Sequence, residues 1–320
     1  MNGKLANRLS DPSLQSPAPS PQSPALTKPL ADCTVAIAGL GLMGGSLGLA
    51  LRGKAACVVG IARRAETVEQ ALAIGAIDAG ASDLSAAGNA DLIVLATPVS
   101  VILRQIDQIG VLAGQGALRD GVVLTDMGST KAAICDAMAR LPASVQPVGA
   151  HPMCGKETSG LDVAEGTLYR DAPFILCPLP RTEPWATQLV ADLATAVGAC
   201  PLTLDPQRHD RLAAAISHVP YLASVAVFAV AGDLAALDPA AWQLAASGFR
   251  STTRLAGSDP VMMADILHSN RAAVLEHIDR LREQLDLMAS LVAGDDSAAL
   301  QAELARIQTQ RQAFLDQYGS

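Results

Sequence analysis

Aromatic side chains and positive charge are scarce in this chain of 320 residues. Only 3% of the residues are Phe, Trp or Tyr, and Ala, Leu and Val are abundant, which favours helices and buried parallel strands over an all-β sandwich. The formal net charge of −8 argues against electrostatic binding of nucleic acid, because such proteins need basic surface to displace counterions from phosphate. Half of the residues are hydrophobic, so the chain can bury the core of one large or two medium domains.

The chain also lacks paired cysteines. It has no Cys-x-x-Cys pair and no His–Cys cluster with metal-ligand spacing, so we predict no metal site and reduced thiols in a cytoplasmic protein. Cys154 lies close to His151 and is either a nucleophile or, as we favour, a small apolar side chain in a turn. The six thiols are at Cys33, Cys57, Cys135, Cys154, Cys177 and Cys200.

Uninterrupted apolar runs of about 18 to 20 residues are missing, so the sequence predicts no membrane span and no membrane partner. No basic-then-apolar signal peptide opens the chain. Residues 1–32 instead carry six prolines among serines, a composition that cannot form a packed core. We therefore expect a disordered tail over 1–32 and folded domains after it.

Short apolar runs alternate with helical stretches over residues 33–204, which predicts an α/β domain with a doubly wound, mostly parallel sheet. A predicted helix, 184–197, lies between the last two runs. The predicted strands are 34–38, 58–61, 92–96, 122–125, 145–149, 174–177 and 202–204.

Strand signals stop at about residue 205, so 205–320 is predicted to be an all-α domain. The stretch 209–231 is apolar nearly all round and should be buried among other helices. Those helices belong either to the same chain or to a second copy in a homodimer. Further helices are predicted at 240–246, 260–293 and 297–318.

The turn Gly39-Leu40-Gly41-Leu42-Met43-Gly44 directly follows the first predicted strand and opens a helix. In that context a Gly-x-Gly-x-x-Gly motif predicts dinucleotide binding. The first glycine permits the tight turn, the second lets the backbone approach the pyrophosphate, and the third lets the helix pack on the strand. We assign Gly39, Gly41, Leu42, Met43 and Gly44 to the cofactor site.

The end of the second strand indicates which dinucleotide binds. NAD sites usually place Asp or Glu there, whereas NADP sites offer Arg to the 2′-phosphate. This chain has Ala62 at that position, followed by Arg63 and Arg64. We therefore predict NADP, with NAD possible.

Polar residues follow three further strands at the edge where ligands bind in open α/β sheets. Thr97 and Pro98 follow one strand and Ser129 another, and we assign all three to the cofactor site. Ser129 also has the position of an N-cap for a helix over 131–140. His151 follows the predicted strand 145–149, where an acceptor for the proton of an alcohol would sit.

Several ordered motifs resemble the prephenate and arogenate dehydrogenases of tyrosine biosynthesis. Besides the glycine turn they are Asp126-Met127-Gly128-Ser129-Thr130-Lys131, His151-Pro152-Met153-Cys154-Gly155, Ser217-His218-Val219-Pro220 and Gly248-Phe249-Arg250-Ser251-Thr252-Thr253-Arg254. The resemblance implies a Rossmann-like domain, a helical domain that dimerises, and oxidative decarboxylation of a cyclohexadienol with a nicotinamide cofactor.

The resemblance also implies roles for individual residues. His151 accepts the proton of the substrate hydroxyl, and Ser129 bonds that hydroxyl and the nicotinamide side. Arg254 binds the side-chain carboxylate, with Arg250 as a second candidate, and His218 has either a substrate-pocket or a structural role. We assign the remaining histidines to structure or surface: His209, His268 and His277.

The choice of substrate rests on departures from the family pattern. Tyr221 stands where many prephenate-using relatives carry a histidine, and Arg63 and Arg64 resemble arogenate-using members, so we expect arogenate with NADP. The alternatives are prephenate, both substrates, a β-hydroxyacid dehydrogenase or a non-catalytic NADP-binding protein. The β-hydroxyacid reading is disfavoured because no lysine follows Lys156.

Overall fold

The computed structural model describes residues 28–156 and 158–318. The tail predicted over 1–32 lies outside the described residues as far as residue 27. Its last five residues are folded, since Leu30–Asp32 forms a 3₁₀ turn with Leu30 buried. Lys28 pairs with Asp91 at 2.6 Å, so the folded region begins earlier than its composition indicates.

The centre of the molecule is one eight-stranded sheet in the order β3-β2-β1-β4-β5-β6-β7-β8. All neighbouring strands are parallel except β6 and β7, which run antiparallel. The strands are Thr34–Ala38 (β1), Cys57–Ile61 (β2), Ala79–Ala81 (β3), Leu92–Leu95 (β4), Val122–Asp126 (β5), Val145–Pro152 (β6), Pro173–Pro178 (β7) and Cys200–Thr203 (β8).

The predicted α/β class is confirmed, with two main differences along the sheet besides shifts of one or two residues at the ends of other strands. The edge strand β3 was not predicted because its three residues are small and mostly exposed and carry no apolar pattern. Strand β6 runs three residues beyond its predicted end, because the antiparallel pairing with β7 continues to Pro152. His151 therefore lies inside a strand, opposite Ile175, rather than in the turn after it.

Helices cover both faces of the sheet, as the doubly wound pattern predicts. Leu47 of the first helix and Leu193 of the fifth pack into one core, and Ile102 and Ile106 of the third pack into the other. These helices are Leu42–Leu51 (α1), Ala65–Ala73 (α2), Val99–Gly114 (α3), Ala132–Met138 (α4) and Pro184–Ala196 (α5).

After the sheet the described chain is helical. A π-helical turn at Ala214–His218 joins α6 to α7 without a break. The predicted helix over 260–293 is divided at Asn270, whose side chain is turned inward to hydrogen-bond other residues. The helices are Pro206–Ala213 (α6), Val219–Leu237 (α7), Ala240–Gln243 (α8), Ser247–Thr253 (α9), Pro260–Ser269 (α10), Arg271–Ala293 (α11) and Ser297–Tyr318 (α12).

Within residues 28–156 and 158–318, much of the apolar helix α7 is left exposed. Val230, Leu234 and Leu237 are 72%, 58% and 86% exposed, so burial in an intrachain bundle, one of the two expectations, is wrong. By length and composition alone, the continuous helix 206–237 is long and apolar enough to cross a membrane, and 28% of its apolar window is buried. An exposed apolar side of this kind is typical of an interaction surface.

Polar contacts join the carboxyl edge of the sheet to the helices α6 and α10. Asp210 of α6 accepts hydrogen bonds from the first N–H groups of α4. Asp265 of α10 accepts from the backbone and hydroxyl of Ser100 at the start of α3. Thr130 and Ser269 bond at 2.9 Å. These contacts hold the carboxyl edge of the sheet against α6 and α10.

Candidate active site

The glycine turn between β1 and α1 has the geometry of a dinucleotide site. Gly39 has φ +103°, a conformation that side chains disfavour, and an added Cβ would lie 2.6 Å from Thr97 Cγ2. At Gly44 a Cβ would lie 1.8 Å from the carbonyl oxygen of Gly39, so only glycine lets α1 approach the strand this closely. Nothing lies within 4 Å of a Cβ at Gly41, which leaves its backbone open to a ligand.

A cavity of about 580 Å³ opens beside this turn. Gly39, Gly41 and Thr97 line it, and so do Arg63 and Arg64, which follow the end of β2. Ala62 also lies on its wall, so the residue at the end of β2 presents no carboxylate. This combination fits a phosphorylated dinucleotide, because the glycine turn suits a pyrophosphate and guanidinium groups suit a 2′-phosphate.

Four further residues predicted to bind the cofactor do not line this cavity. Leu42, Met43 and Gly44 form the first turn of α1, and Pro98 precedes α3; none of them is among the residues lining the cavity. The Met43 carbonyl accepts a 2.6 Å bond from buried Tyr169. These residues shape the site rather than face it.

The sequence did not predict much of the cavity wall, including one arginine and one loop. Arg104 of α3 adds a third guanidinium, one that no motif marks. Gly160, Leu161 and Asp162 close another side from the loop between β6 and β7. Leu161 is buried against α1, where a Cβ at Gly45 would lie 2.4 Å from it, so the loop is seated on the glycine turn.

Asp126, the last residue of β5, organises the loop that carries Ser129. Its side chain is fully buried and accepts hydrogen bonds from the backbone of Gly128 at 2.7 Å and of Ala150 at 3.0 Å. It also forms an ion pair with Lys131, which is likewise fully buried. One carboxylate thus fixes both the Ser129 loop and the strand position just before His151.

The prediction that Ser129 caps helix α4 is wrong. No side chain at the N-cap position bonds the helix start, and α4 begins at Ala132. The Asp210 carboxylate from α6 accepts from the backbone N–H groups of Lys131 and Ala132 at 2.7 and 2.9 Å instead. Ser129 is half-buried and remains available to a ligand.

His151 is half-buried and its Nδ1 lies 2.9 Å from Nε2 of His209. Nδ1 of His209 lies 2.8 Å from Oδ1 of Asp210. The sequence predicts a structural or surface role for His209, but its side chain is only 2% exposed and contacts the candidate base directly. The three side chains form a line from β6 to α6.

Burial lowers the pKa of His151 well below its ordinary value, and repulsion from His209, Lys131 and His218 lowers that pKa further. The imidazole is therefore neutral at neutral pH. A neutral imidazole has a lone pair that accepts a proton from a substrate hydroxyl.

His218, at the end of the π-helical turn, is only 2% exposed and lies beside the side-chain amide of Asn270. Its Nδ1 lies 3.2 Å from Nδ2 of Asn270, which also donates to the Asp210 carbonyl at 2.7 Å. Burial is the main cause that lowers the pKa of His218 to about 4. With Nδ1 accepting from Asn270, the neutral ring carries its proton on Nε2 and is a donor there.

Arg250 and Arg254 lie elsewhere in the helical region. Both line a cavity of about 570 Å³ whose wall includes stacked Phe228 and Trp242 together with Phe249. This cavity shares no lining residue with the cavity beside the glycine turn. Both guanidinium groups are exposed, and the cavity combines these cations with an apolar surface that includes Phe228 of α7.

Cys154 has the properties of a small apolar side chain rather than those of a nucleophile. It is half-buried, and burial raises its pKa to about 11, so its thiolate is scarce at neutral pH. The described residues hold all six cysteines as free thiols and contain no group of three or more His, Cys, Asp or Glu suited to a metal ion.

Comparison with known proteins is consistent with this site. Residues 47–201 match the family "Prephenate dehydrogenase, nucleotide-binding domain", and residues 205–306 match "Prephenate dehydrogenase, dimerization domain". The prephenate dehydrogenase of Bacillus subtilis is 34% identical over 273 residues, which cover 83% of this chain and 72% of that protein.

Two solved structures share the whole architecture. Prephenate dehydrogenase from A. aeolicus in complex with hydroxyphenyl propionate and NAD+ has a TM-score of 0.80 and 27% identity, covering 90% of this chain and all of that one. Synechocystis arogenate dehydrogenase has a TM-score of 0.75 and 29% identity, covering 88% and 99%. The chain therefore belongs to the prephenate dehydrogenase family of tyrosine-biosynthetic oxidoreductases, with a nucleotide-binding domain followed by a dimerisation domain.

Proposed function

We propose that this protein catalyses the oxidative decarboxylation of prephenate to 4-hydroxyphenylpyruvate, with NADP as the hydride acceptor. The observation that carries the proposal is His151, a neutral imidazole at the same carboxyl edge of the parallel sheet as the nucleotide cavity. The prephenate dehydrogenase of Bacillus subtilis, at 34% identity, supports this substrate over the arogenate expected from the sequence.

In the proposed reaction His151 takes the proton of the ring hydroxyl as that carbon gains carbonyl character. A bound nicotinamide would supply the acceptor for the hydride that leaves the same carbon. The ring carboxylate leaves as carbon dioxide and its bonding electrons restore the aromatic ring, so the chain needs no covalent intermediate. Ser129, on the loop held by Asp126, is proposed to orient the hydroxyl and the nicotinamide side.

Charged and donor groups of the helical region are proposed to bind the substrate side chain. Arg254 is the candidate for its carboxylate, because a guanidinium donates two parallel hydrogen bonds to a carboxylate. Arg250 is a second candidate in the same cavity. His218, as a neutral donor on Nε2, suits a carboxylate or ketone oxygen.

NADP is proposed over NAD because three arginines line the nucleotide cavity and Ala62 stands at the end of β2. Arg63, Arg64 and Arg104 supply positive charge where a 2′-phosphate would bring about two negative charges. NAD remains the alternative cofactor, since the A. aeolicus relative was solved in complex with NAD+.

Arogenate is the second candidate substrate. Tyr221 and the arginine pair favour it, and the Synechocystis arogenate dehydrogenase shares the architecture at 29% identity. A β-hydroxyacid dehydrogenase is no longer supported, because both matched regions of the chain belong to the prephenate dehydrogenase family.

We also propose a homodimer through α7. The matched dimerisation domain spans residues 205–306, and the exposed apolar side chains of α7 lie inside it. A second copy would remove this surface from water.

The test offers prephenate and arogenate separately to the purified protein, with NADP or NAD, and measures reduced cofactor and released carbon dioxide. We expect equal amounts of both products, faster turnover with prephenate, and a loss of about 100-fold or more in kcat for His151→Asn. His268→Asn, on the exposed side of α10, is the matched control and should keep the kcat of the wild type. Absence of turnover with both substrates would overturn the proposed function.

A further inference from the structure

The strongest unassigned feature is the line of side chains from His151 through His209 to Asp210. It joins β6 to α6 across two contacts of 2.9 and 2.8 Å. His209 and Asp210 are 2% and 4% exposed, and neither is explained by the reaction proposed above. A buried histidine and a buried carboxylate in sequence on one helix need partners, and each finds one in this line.

We propose that His209 and Asp210 are a positioning pair that holds His151 in the tautomer with its proton on Nδ1 and its free lone pair on Nε2. The inference rests on the proposed function, because it concerns the residue to which that proposal gives the role of base. It adds two residues that no motif marks.

The direction of the hydrogen bonds follows from the Asp210 end. The Asp210 carboxylate accepts from the backbone N–H groups of Lys131 and Ala132, which can only donate. These donors open helix α4, and the positive end of a helix dipole favours a negative charge there. A carboxylate fixed as an acceptor leaves Nδ1 of His209 as the donor of their 2.8 Å bond.

The next two steps follow from the imidazole ring. A neutral imidazole carries one proton, so His209 with its proton on Nδ1 presents a lone pair on Nε2. That lone pair lies 2.9 Å from Nδ1 of His151, which must then be the donor. His151 is left with an unprotonated Nε2, the nitrogen able to take a proton from a hydroxyl.

The pair also stabilises the state that follows proton transfer. When His151 becomes an imidazolium, its Nδ1–H donates to a ring that itself donates to an anion, so the new charge is connected to the Asp210 carboxylate through His209. Other charged or titratable groups around His151 do not supply this connection, because Lys131 is a cation paired with Asp126, and His218 bonds Asn270.

Two substitutions at His209 separate positioning from packing. His209→Leu fills the space but removes the acceptor for His151 Nδ1. His209→Gln keeps an amide oxygen near the position of the lost Nε2 and an amide N–H for Asp210. We expect His209→Leu to lower kcat about 100-fold with KM for the substrate within about threefold of the wild type, and His209→Gln to recover about tenfold of that loss.

A spectroscopic measurement tests the tautomer without turnover. Two-bond proton–nitrogen correlations on the ¹⁵N-labelled, full-length protein distinguish the two neutral tautomers, and the chain has only five histidines to assign. The His151 signals are identified by their absence in His151→Asn. In the wild type we expect His151 with protonated Nδ1 and unprotonated Nε2, and in His209→Leu a mixture of tautomers.

The outcomes separate this proposal from the proposed function. An Nδ1-protonated His151 in a protein that oxidises neither substrate keeps the positioning pair and rejects the dehydrogenase activity. An Nε2-protonated His151 in the wild type overturns the positioning pair, as does a wild-type kcat in His209→Leu. If His209→Leu does not fold, the wild-type spectrum and the kcat of His209→Gln decide the matter.

Discussion

Removal of the buried ion pair between Lys131 and Asp126 should change both the stability and the activity of the protein. Both side chains are fully buried, and Asp126 also holds the backbone of Gly128 and Ala150. Lys131→Met keeps an unbranched side chain of similar length but leaves the carboxylate without its counter-charge. Removing one partner of a buried pair costs about 3 to 5 kcal/mol.

The structure places the expected cost at the lower end of that range. Asp126 retains its two backbone donors at 2.7 and 3.0 Å, so its charge is not left entirely unsolvated. We therefore expect a loss of about 3 kcal/mol, which lowers Tm by about 6 to 12 °C for a folded unit of this size. Thermal and urea unfolding followed by circular dichroism measure both quantities.

The same substitution should change the pH dependence of turnover. Lys131 is one of the groups that lower the pKa of His151, so its removal raises that pKa. Because the base must be neutral, activity is lost as pH falls through the pKa of His151. The acidic limb of kcat against pH should therefore move to higher pH in Lys131→Met.

Two controls make the reasoning refutable. Lys54→Met removes an exposed ammonium and should cost less than about 1 kcal/mol. The double variant Asp126→Asn with Lys131→Met has no unpaired charge and keeps an acceptor oxygen for one of the two backbone N–H groups, so it should be about 1 kcal/mol more stable than Lys131→Met alone. A loss below about 1 kcal/mol in Lys131→Met, with an unmoved acidic limb, would refute the account of this ion pair.

Three further predictions concern the nucleotide cavity, the glycine turn and α7. Arg63→Ala should narrow the ratio of kcat/KM for NADP over NAD by about tenfold, measured in steady-state assays, and equal use of both cofactors by the wild type would refute the NADP proposal. Gly44→Ala should destabilise the protein by about 3 kcal/mol because its Cβ meets the Gly39 carbonyl, whereas Gly41→Ala should keep Tm and weaken nucleotide binding in a fluorescence titration. Leu234→Glu should turn a dimer into a monomer in sedimentation analysis, and an unchanged mass would exclude this face of α7 as the interface.

Local patterns in the sequence predicted much of the sheet. Strand β1 and helix α12 have the predicted bounds, and the glycine turn has the predicted backbone geometry at Gly39. Such features depend on residues that are close in the chain, since strand patterning, helix periodicity and a positive φ are local properties. The short edge strand β3 carried no such pattern and was missed.

Contacts between residues that are distant in the sequence could not be predicted from local patterns. The cap of α4 comes from Asp210, which is 79 residues from Lys131. A prediction from neighbouring residues therefore pointed to Ser129, which is close to the helix start in the sequence but does not cap it. His209 lies 58 residues from His151, and nothing around it in the sequence indicates that the two rings meet. Arg104 likewise joins the nucleotide cavity only because α3 packs beside the turn.

The sequence by itself determined seven of the eight strands, the nucleotide-binding turn and the family of the chain, because each depends on neighbouring residues or on ordered motifs. Only the tertiary structure decided what surrounds His151. The packing of α6 against β6 and α4 brings His209 and Asp210 to the imidazole, and burial there keeps it neutral. Hydrogen-bond direction and desolvation depend on which distant groups are packed together, and local sequence does not specify this.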